Sequence, residues 1–346
     1  MSDLRDPVLD ALHFRPPAYV PWAWKMTIPC RQRVSEFLGG QPAETMLESH
    51  FLDIKSPVRR YEPIGEGLVR DSFGVTWDRS VDPDIGTPVD WPLREPKDLL
   101  RYRFPVADDA SLYEFVGPEL KQSRGRFGRF CIGLSLYERA WTLRGMTQLF
   151  EDMIDRPEFV EELFDAIADH TIQQVHQALK FDFDAFHFGD DYGMQTGLIM
   201  GLDRWRRLFK PRLARIFEPV RKAGKFIFLH SCGKVESLLD DFVEIGLSCL
   251  DPFQPEVMDT VALIKKYHGR LAFHGGLSIQ KTLPFGSQAD VRRQTQRLID
   301  AGSAGGLIFS PAHAVPGDVP PENLRAMMDV LKAQPGYRAS FGSQTL

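Results

Sequence analysis

The stretch "FIFLHSCGKVESLL", residues 226–239, changes character half-way along. An unbroken apolar run, 226–229, stops at His230, Ser231, Cys232 and Gly233, and an amphipathic segment follows. A short apolar run with no alternation reads as a strand buried on both faces, the kind found in parallel sheets. A core strand gains nothing from a histidine or a cysteine at its end. A metal or a catalytic site uses both.

The same arrangement repeats from about residue 126 onward. Short apolar runs appear at 130–134, 185–188, 226–229, 247–250, 271–273 and 307–309, and helix-like stretches lie between them at 156–180, 202–223, 257–267 and 288–301. Strands alternating with helices imply parallel βαβ units. With "YVPWAW" at 19–24 as a further strand, the pattern predicts an α/β fold, a single (β/α)8 TIM barrel with an irregular N-terminal extension. One strand of the barrel has no obvious candidate. Residues 1–110 read as irregular, apart from a hairpin in "GLVRDSFGVTWDRS" at 67–80 and turns in "DPDIGTPVDWPL" at 82–93. No repeat or linker divides the chain, so 1–346 is expected to be one domain.

The chain has 346 residues, 43% hydrophobic and 26% charged, and a formal net charge of −5, which gives no support for nucleic-acid binding. No apolar run approaches the roughly 20 residues of a membrane span, and the N-terminus lacks the apolar core of a signal peptide. Four cysteines in so long a chain do not make a disulfide framework. The cytoplasm is the expected compartment.

In a parallel barrel, strand C-termini share one rim, where active sites are built. The polar residues collect there: Glu138 after the first run, His187 and Asp190, Asp191, Tyr192 and Gln195 after the second, His230 and Cys232 after the third, Asp251 and Gln254 after the fourth. His274 and His313 end the last two runs. Residues two apart on an extended segment point to one side, so His230 and Cys232 can share an ion. Imidazole and thiolate suit Zn²⁺, and a catalytic zinc takes about three protein ligands. The plainer alternative is a buried cysteine beside a hydrogen-bonding histidine. Asp190 and Asp191 point oppositely along a strand, so one faces the pocket and the other caps a helix or binds an arginine. His313 stands in a loop before the helix start "PPEN", 320–323, and a solvent-facing loop histidine is its plainer reading.

The segments "SLYERAWTLRGMTQLFEDMIDRPEFVEELFD", "HFGDDYGMQTGLIM", "HSCGKVESLLDDFVEIGLSCLDPFQPEVMD", "LAFHGGLSIQKTL" and "PAHAVPGDVPPENL", in this order, resemble the uroporphyrinogen decarboxylase superfamily over residues 126–333. The resemblance implies the (β/α)8 barrel independently of the strand count. The superfamily holds true decarboxylases and zinc methyltransferases that exchange methyl groups with corrinoid proteins. The decarboxylases carry an N-terminal Arg-Gln-Ala-Gly-Arg motif for their polycarboxylate substrate. The corresponding "PWAWKMTIPCRQR", 21–33, keeps Arg31 and Arg33 but lacks Ala-Gly-Arg. The methyltransferases ligate zinc through His-x-Cys, which matches His230 and Cys232. Their further cysteine is absent, and His313 stands in a similar place.

The resemblance therefore implies a corrinoid-dependent methyltransferase of the O-demethylation type, with Zn²⁺ on His230, Cys232 and His313. Glu138 is a candidate fourth or exchangeable ligand. Asp190 or Asp191, with Tyr192, is expected to orient substrate or manage the leaving-group proton. Trp22, Trp24, Arg31, Gln195 and His274 are the expected substrate contacts, and the N-terminal aromatics suit a methoxylated aromatic, although core packing explains them equally. The corrinoid (cobalamin) would sit on a partner protein, and a small molecule would be the methyl donor. A homodimer is compatible with the sequence. The alternatives are a cofactor-free decarboxylase, with Asp190 stabilising a protonated intermediate and Arg31, Arg33 or Arg139 gripping a carboxylate, and a non-enzymatic binding protein on the same barrel.

Overall fold

A computed structural model of the chain describes residues 3–123 and 125–341. Its strands, in chain order, are β1 (Phe51–Lys55), β2 (Tyr61–Gly65), β3 (Leu68–Asp71), β4 (Thr76–Asp78), β5 (Thr87–Asp90), β6 (Phe127–Ile132), β7 (Ala185–Gly189), β8 (Phe226–His230), β9 (Cys249–Phe253), β10 (Ala272–Leu277) and β11 (Leu307–Pro311). Seven of them form one sheet in the order β1-β6-β7-β8-β9-β10-β11, and every neighbouring pair is parallel. The others form a four-stranded antiparallel sheet, β2-β3-β4-β5. Its β3–β4 pair is the hairpin expected at 67–80.

The N-terminal part is therefore less irregular than its composition suggests. It holds the small sheet and also β1, a strand for which the sequence offered no obvious candidate, and among the described residues the parallel sheet counts seven strands rather than the expected eight. "FLDIK" hides because Asp53 and Lys55 interrupt any apolar run. The expected strand "YVPWAW" is not a regular strand, since Pro21 has no N–H to give a ladder. It runs beside β11 through isolated parallel bridges, Trp22 with Phe309 and Met26 with Val315. The Phe309 N–H donates to the Pro21 carbonyl at 2.8 Å, and the His50 N–H donates to the Trp22 carbonyl at 3.1 Å. This segment thus links the last strand of the sheet to the approach of β1.

Helices cover the outside of the sheet. Pro157–Ala178 buries Val160, Leu163, Phe164, Ile167 and Thr171, the three-and-four spacing of an amphipathic face. The expected helix over 202–223 is two, Leu202–Leu208 and Lys210–Lys222. Pro211 opens the second, where a missing N–H does no harm, and would break a continuous one.

Alternation along the strands sets what faces the inner side of the curved parallel sheet. The first inward positions are Phe51, Phe127, Ala185, Phe228, Cys249 and Ala272, which pack with Val8, Ala11 and Leu12 of the helix Arg5–Leu12 into a core separate from the outer one. Two residues further along the same strands stand Asp53, Arg129, His187, His230, Asp251 and His274. The register pairs Asp53 with Arg129 and His230 with Asp251. One strand step converts the core into a polar floor.

Candidate metal centre and substrate cavity

His230 ends β8 and Cys232 lies two residues beyond it on the same side. His230 Nε2 stands 3.4 Å from Cys232 Sγ. Donors about 2.0 and 2.3 Å from a tetrahedral zinc ion stand roughly 3.5 Å apart, so this spacing fits shared ligation. His313, from the loop after β11, completes the group: one donor atom from each residue lies within 4.8 Å of the others. The His230 and His313 rings meet edge-on, centroids 5.4 Å apart. Burial, and then the neighbouring His230, lower the proton affinity of His313, which keeps a nitrogen lone pair available. Burial, and then Asp191, Asp251 and Glu138, raise the pKa of the Cys232 thiol. A cation between these groups reverses both penalties, and the donor set fits zinc.

The backbone behind the pair is fixed. Gly233 has φ 85°, and a Cβ there would strike the Gly193 carbonyl. The Gly233 N–H donates to Gln254 Oε1, and the Cys232 N–H to Asp191 Oδ1 at 2.8 Å. Only glycine permits this crossing of two loops.

Beneath the cluster lies a charged floor. His187 Nε2 and His274 Nδ1 contact the Asp251 carboxylate at 2.8 and 3.0 Å. Burial by itself would raise the Asp251 pKa, but His274 and His187 outweigh it and hold the carboxyl well below its usual range. His187 is pushed down to about 4 by burial and then by Arg129. Deeper still, Asp53 binds Arg129 Nε at 2.7 Å and Lys25 Nζ at 2.6 Å. The Arg129 guanidinium carbon lies 3.8 Å from the Phe51 ring centroid and 5.0 Å from that of Phe228, against the apolar layer.

The adjacent carboxylates after β7 divide their work. Asp190 is fully buried and accepts from the Glu138 N–H at 2.7 Å, Ser135 Oγ at 2.8 Å and Tyr192 Oη at 3.2 Å. It thereby caps the helix Tyr137–Arg144 and draws the β6 and β7 loops together. Burial raises it to about 7 even against those hydrogen bonds. Asp191 faces the other way, 3.7 Å from His230 Nε2. Glu138 lines the same space, and burial followed by Asp191 and Asp190 raises its pKa well above the carboxyl norm.

These groups border a cavity of about 660 Å³, lined at the cluster side by His187, Asp191, His230, His313 and Glu138 and elsewhere by Tyr61, Phe73 and Trp77 among others. A smaller space of about 160 Å³, sharing Lys25, His187, His230 and His313, reaches Trp24, Asp251 and His274.

Several expected site residues lie elsewhere. Trp22 is wholly buried among Tyr19, His50 and Tyr337, outside both cavities. Arg31 is exposed and pairs with Glu44. Gln195 is exposed at the tip of a loop that folds back through the Met194 N–H to the Gly197 carbonyl. Asp190 and Tyr192 stand behind the cavity wall, because the alternation that turns Asp191 toward the cavity turns them away from it. Trp24 and His274 do face the smaller space. Sequence reasoning missed Lys25, Asp53 and Arg129; the one signal was a charge inside each of the short apolar stretches "FLDIK" and "FGRFC".

The family model described as uroporphyrinogen decarboxylase (URO-D) matches residues 139–334, more than half of the chain. The chain belongs to the URO-D family. Among solved structures, this URO-D family member is similar to a methyltransferase from Methanosarcina mazei, with a TM-score of 0.67 and 16% identity over 96% of this chain and 99% of that one. At that identity the likeness shows a shared fold. A sugar phosphate isomerase/epimerase from Parabacteroides distasonis superposes with a TM-score of only 0.38, at 12% identity over 92% of this chain and 96% of that one, too weak to bear on the chemistry. No curated protein matches. No helix among the described residues is long and apolar enough to cross a membrane.

Proposed function

We propose that this URO-D family member is a cytoplasmic methyltransferase of the O-demethylation type, moving a methyl group between a small molecule and a corrinoid carried by a separate protein. The observation that carries the reading is the convergence of His230, Cys232 and His313 at the edge of the 660 Å³ cavity. Those three residues would hold zinc. Bound there, the metal supplies Lewis acidity, polarising an ether oxygen or favouring the thiolate of a thiol acceptor.

The protein's own groups do the rest. Asp191 anchors the Cys232 backbone and flanks His230, holding both donors in register. Glu138, with its raised proton affinity, holds a proton at its carboxyl and delivers it to a leaving oxygen. Asp190 and Tyr192 are positioning residues that fix the helix carrying Glu138. Tyr61, Phe73 and Trp77 cover the cavity and limit water. The decarboxylase alternative relies on Asp190 with Arg31, Arg33 or Arg139; Asp190, Arg31 and Arg33 do not line the cavity, and Arg139, which does, is paired with Asp71 at 3.2 Å.

The test combines metal analysis with turnover. Protein purified without chelators should carry close to one zinc per chain and demethylate methoxylated aromatics only when cob(I)alamin or a reduced corrinoid protein is supplied. Anaerobic conversion of uroporphyrinogen III to coproporphyrinogen, or methyl transfer without any cobalt species, would overturn the reading.

A further inference from the structure

The wall of the cavity that β1 and the small sheet provide has a chemistry the metal cluster does not need. Lys55 ends β1, Arg59 follows it, Tyr61 begins β2 and Arg79 follows β4, and all four line the cavity. The guanidinium carbons of Arg79 and Arg59 lie 4.1 and 5.5 Å from the Tyr61 ring centroid, so one aromatic ring serves both as a platform. Arg59 reaches the end of β6, where a Cβ on Gly133 would stand 3.7 Å from its Nη2.

The other cations near the cavity are matched: Lys25 and Arg129 by Asp53, and Arg139 by Asp71. Among the described residues, Lys55, Arg59 and Arg79 have no carboxylate within 4.0 Å, and Arg79 Nε is buried with no hydrogen-bond partner. The carboxylates that share the cavity are occupied elsewhere. Asp84 accepts the Ile28 N–H with both oxygens at 3.1 and 3.0 Å, and Asp191 accepts from Cys232. Glu138, which Arg59 also influences, stands with the metal-site acids. Three cations crowded around one void repel one another, and an anion placed between them reverses the sign. Guanidinium donors in particular match the geometry of an oxyanion.

We infer that the small molecule occupying this cavity carries an oxyanion group, a carboxylate, sulfonate or phosphate, held by Lys55, Arg59 and Arg79 while its reacting part faces His230, Cys232 and His313. The inference rests on the methyltransferase reading only in identifying the bound molecule as the methyl substrate. The anion subsite itself stands on residues that take no part in the metal cluster.

Calorimetric titration of the full chain with benzoate, benzenesulfonate, phenyl phosphate and neutral benzamide tests it. At least one anion should bind about tenfold or more tighter than benzamide, a preference that weakens with salt and vanishes in the Arg59→Gln/Arg79→Gln double variant. The tightest of the three anions identifies the group. Lys55→Gln alters an exposed side chain and should weaken the same anion, which keeps the test available if the double variant does not fold. Equal binding of anions and benzamide, no anion binding at all, or anion binding unchanged in these variants would overturn the inference. Zinc content measured on the same samples separates the two ideas. Anion preference without zinc sinks the metal reading alone, and zinc without anion preference sinks only the subsite.

Discussion

In the lower half of the inner face of the parallel sheet, Phe51, Phe127 and Phe228 pack against the helix Arg5–Leu12 as ordinary core. In the upper half, the next inward positions of the same strands are Asp53, Arg129 and His230, and what fills the space is charge. The two regions share strands, register and flanking helices, and they are separated by a rise of roughly 6.6 Å, two residues of strand. Arg129 marks the boundary, its guanidinium lying on two phenylalanine rings below while its Nε–H donates to Asp53 beside it. The parallel sheet therefore does not need a separate scaffold for its site. The apolar half supplies rigidity, and the polar half, held from beneath, spends little of its own stability on staying in place.

Truncation on the two sides of that boundary should give different signatures. Phe228→Ala removes a fully buried ring from this inner core and should cost about 3–5 kcal/mol, with zinc content unchanged in the molecules that remain folded. Asp53→Asn leaves Arg129 and Lys25 facing one another without their shared anion and should cost about 3 kcal/mol, with zinc content falling as the floor of the site rearranges. Urea denaturation and metal analysis read both. If Asp53→Asn is as stable as wild type, the upper half is solvated and the boundary drawn here is wrong.

His50 offers a control outside both halves. It is fully buried, its Nδ1–H donates to the Trp22 carbonyl at 2.7 Å, and its Nε2 accepts from Tyr19 Oη at 3.0 Å, a neutral imidazole in both contacts. Burial lowers its pKa from 6.5 to about 4. The unfolded chain then binds the extra proton first, so stability is full above about pH 6.5 and is lost as pH falls toward 4. At about 1.4 kcal/mol per pH unit, this window is worth up to roughly 3 kcal/mol. Denaturation midpoints of His50→Gln should fall less steeply across that range than those of wild type. An identical acid slope would show that His50 is not the group responsible.

The smallest effect on stability should come from the rim. Cys232→Ser replaces one group beyond the strand end and should shift unfolding by less than about 1 kcal/mol, while zinc drops well below one per chain. Full zinc occupancy in that variant would reduce the His230–Cys232 pair to a structural turn.

How much of this was legible beforehand depends on the range of the interaction. The order of the later strands, the helices between them and the pairing of His230 with Cys232 follow from backbone periodicity, because neighbours two apart share a side whatever the rest of the chain does. The same rule stated that only one of Asp190 and Asp191 would face the cavity, but not which one. That was decided by the Glu138 N–H and the Ser135 and Tyr192 hydroxyls, which come together only when the β6 and β7 loops meet. β1 was invisible because Asp53 and Lys55 interrupt its apolar residues, and the partners of Asp53, Arg129 and Lys25, lie elsewhere in the sequence.

The sequence alone, then, determined the alternation that makes a parallel α/β sheet and placed its polar residues at one end of the strands. Only the tertiary structure could bring His313 to His230, join Lys55, Arg59 and Arg79 around one cavity, and send Trp22, Arg31 and Gln195 elsewhere. Local pattern depends on interactions between residues two to four apart, whereas these groupings depend on how the parallel sheet curves and on which loops cross its rim.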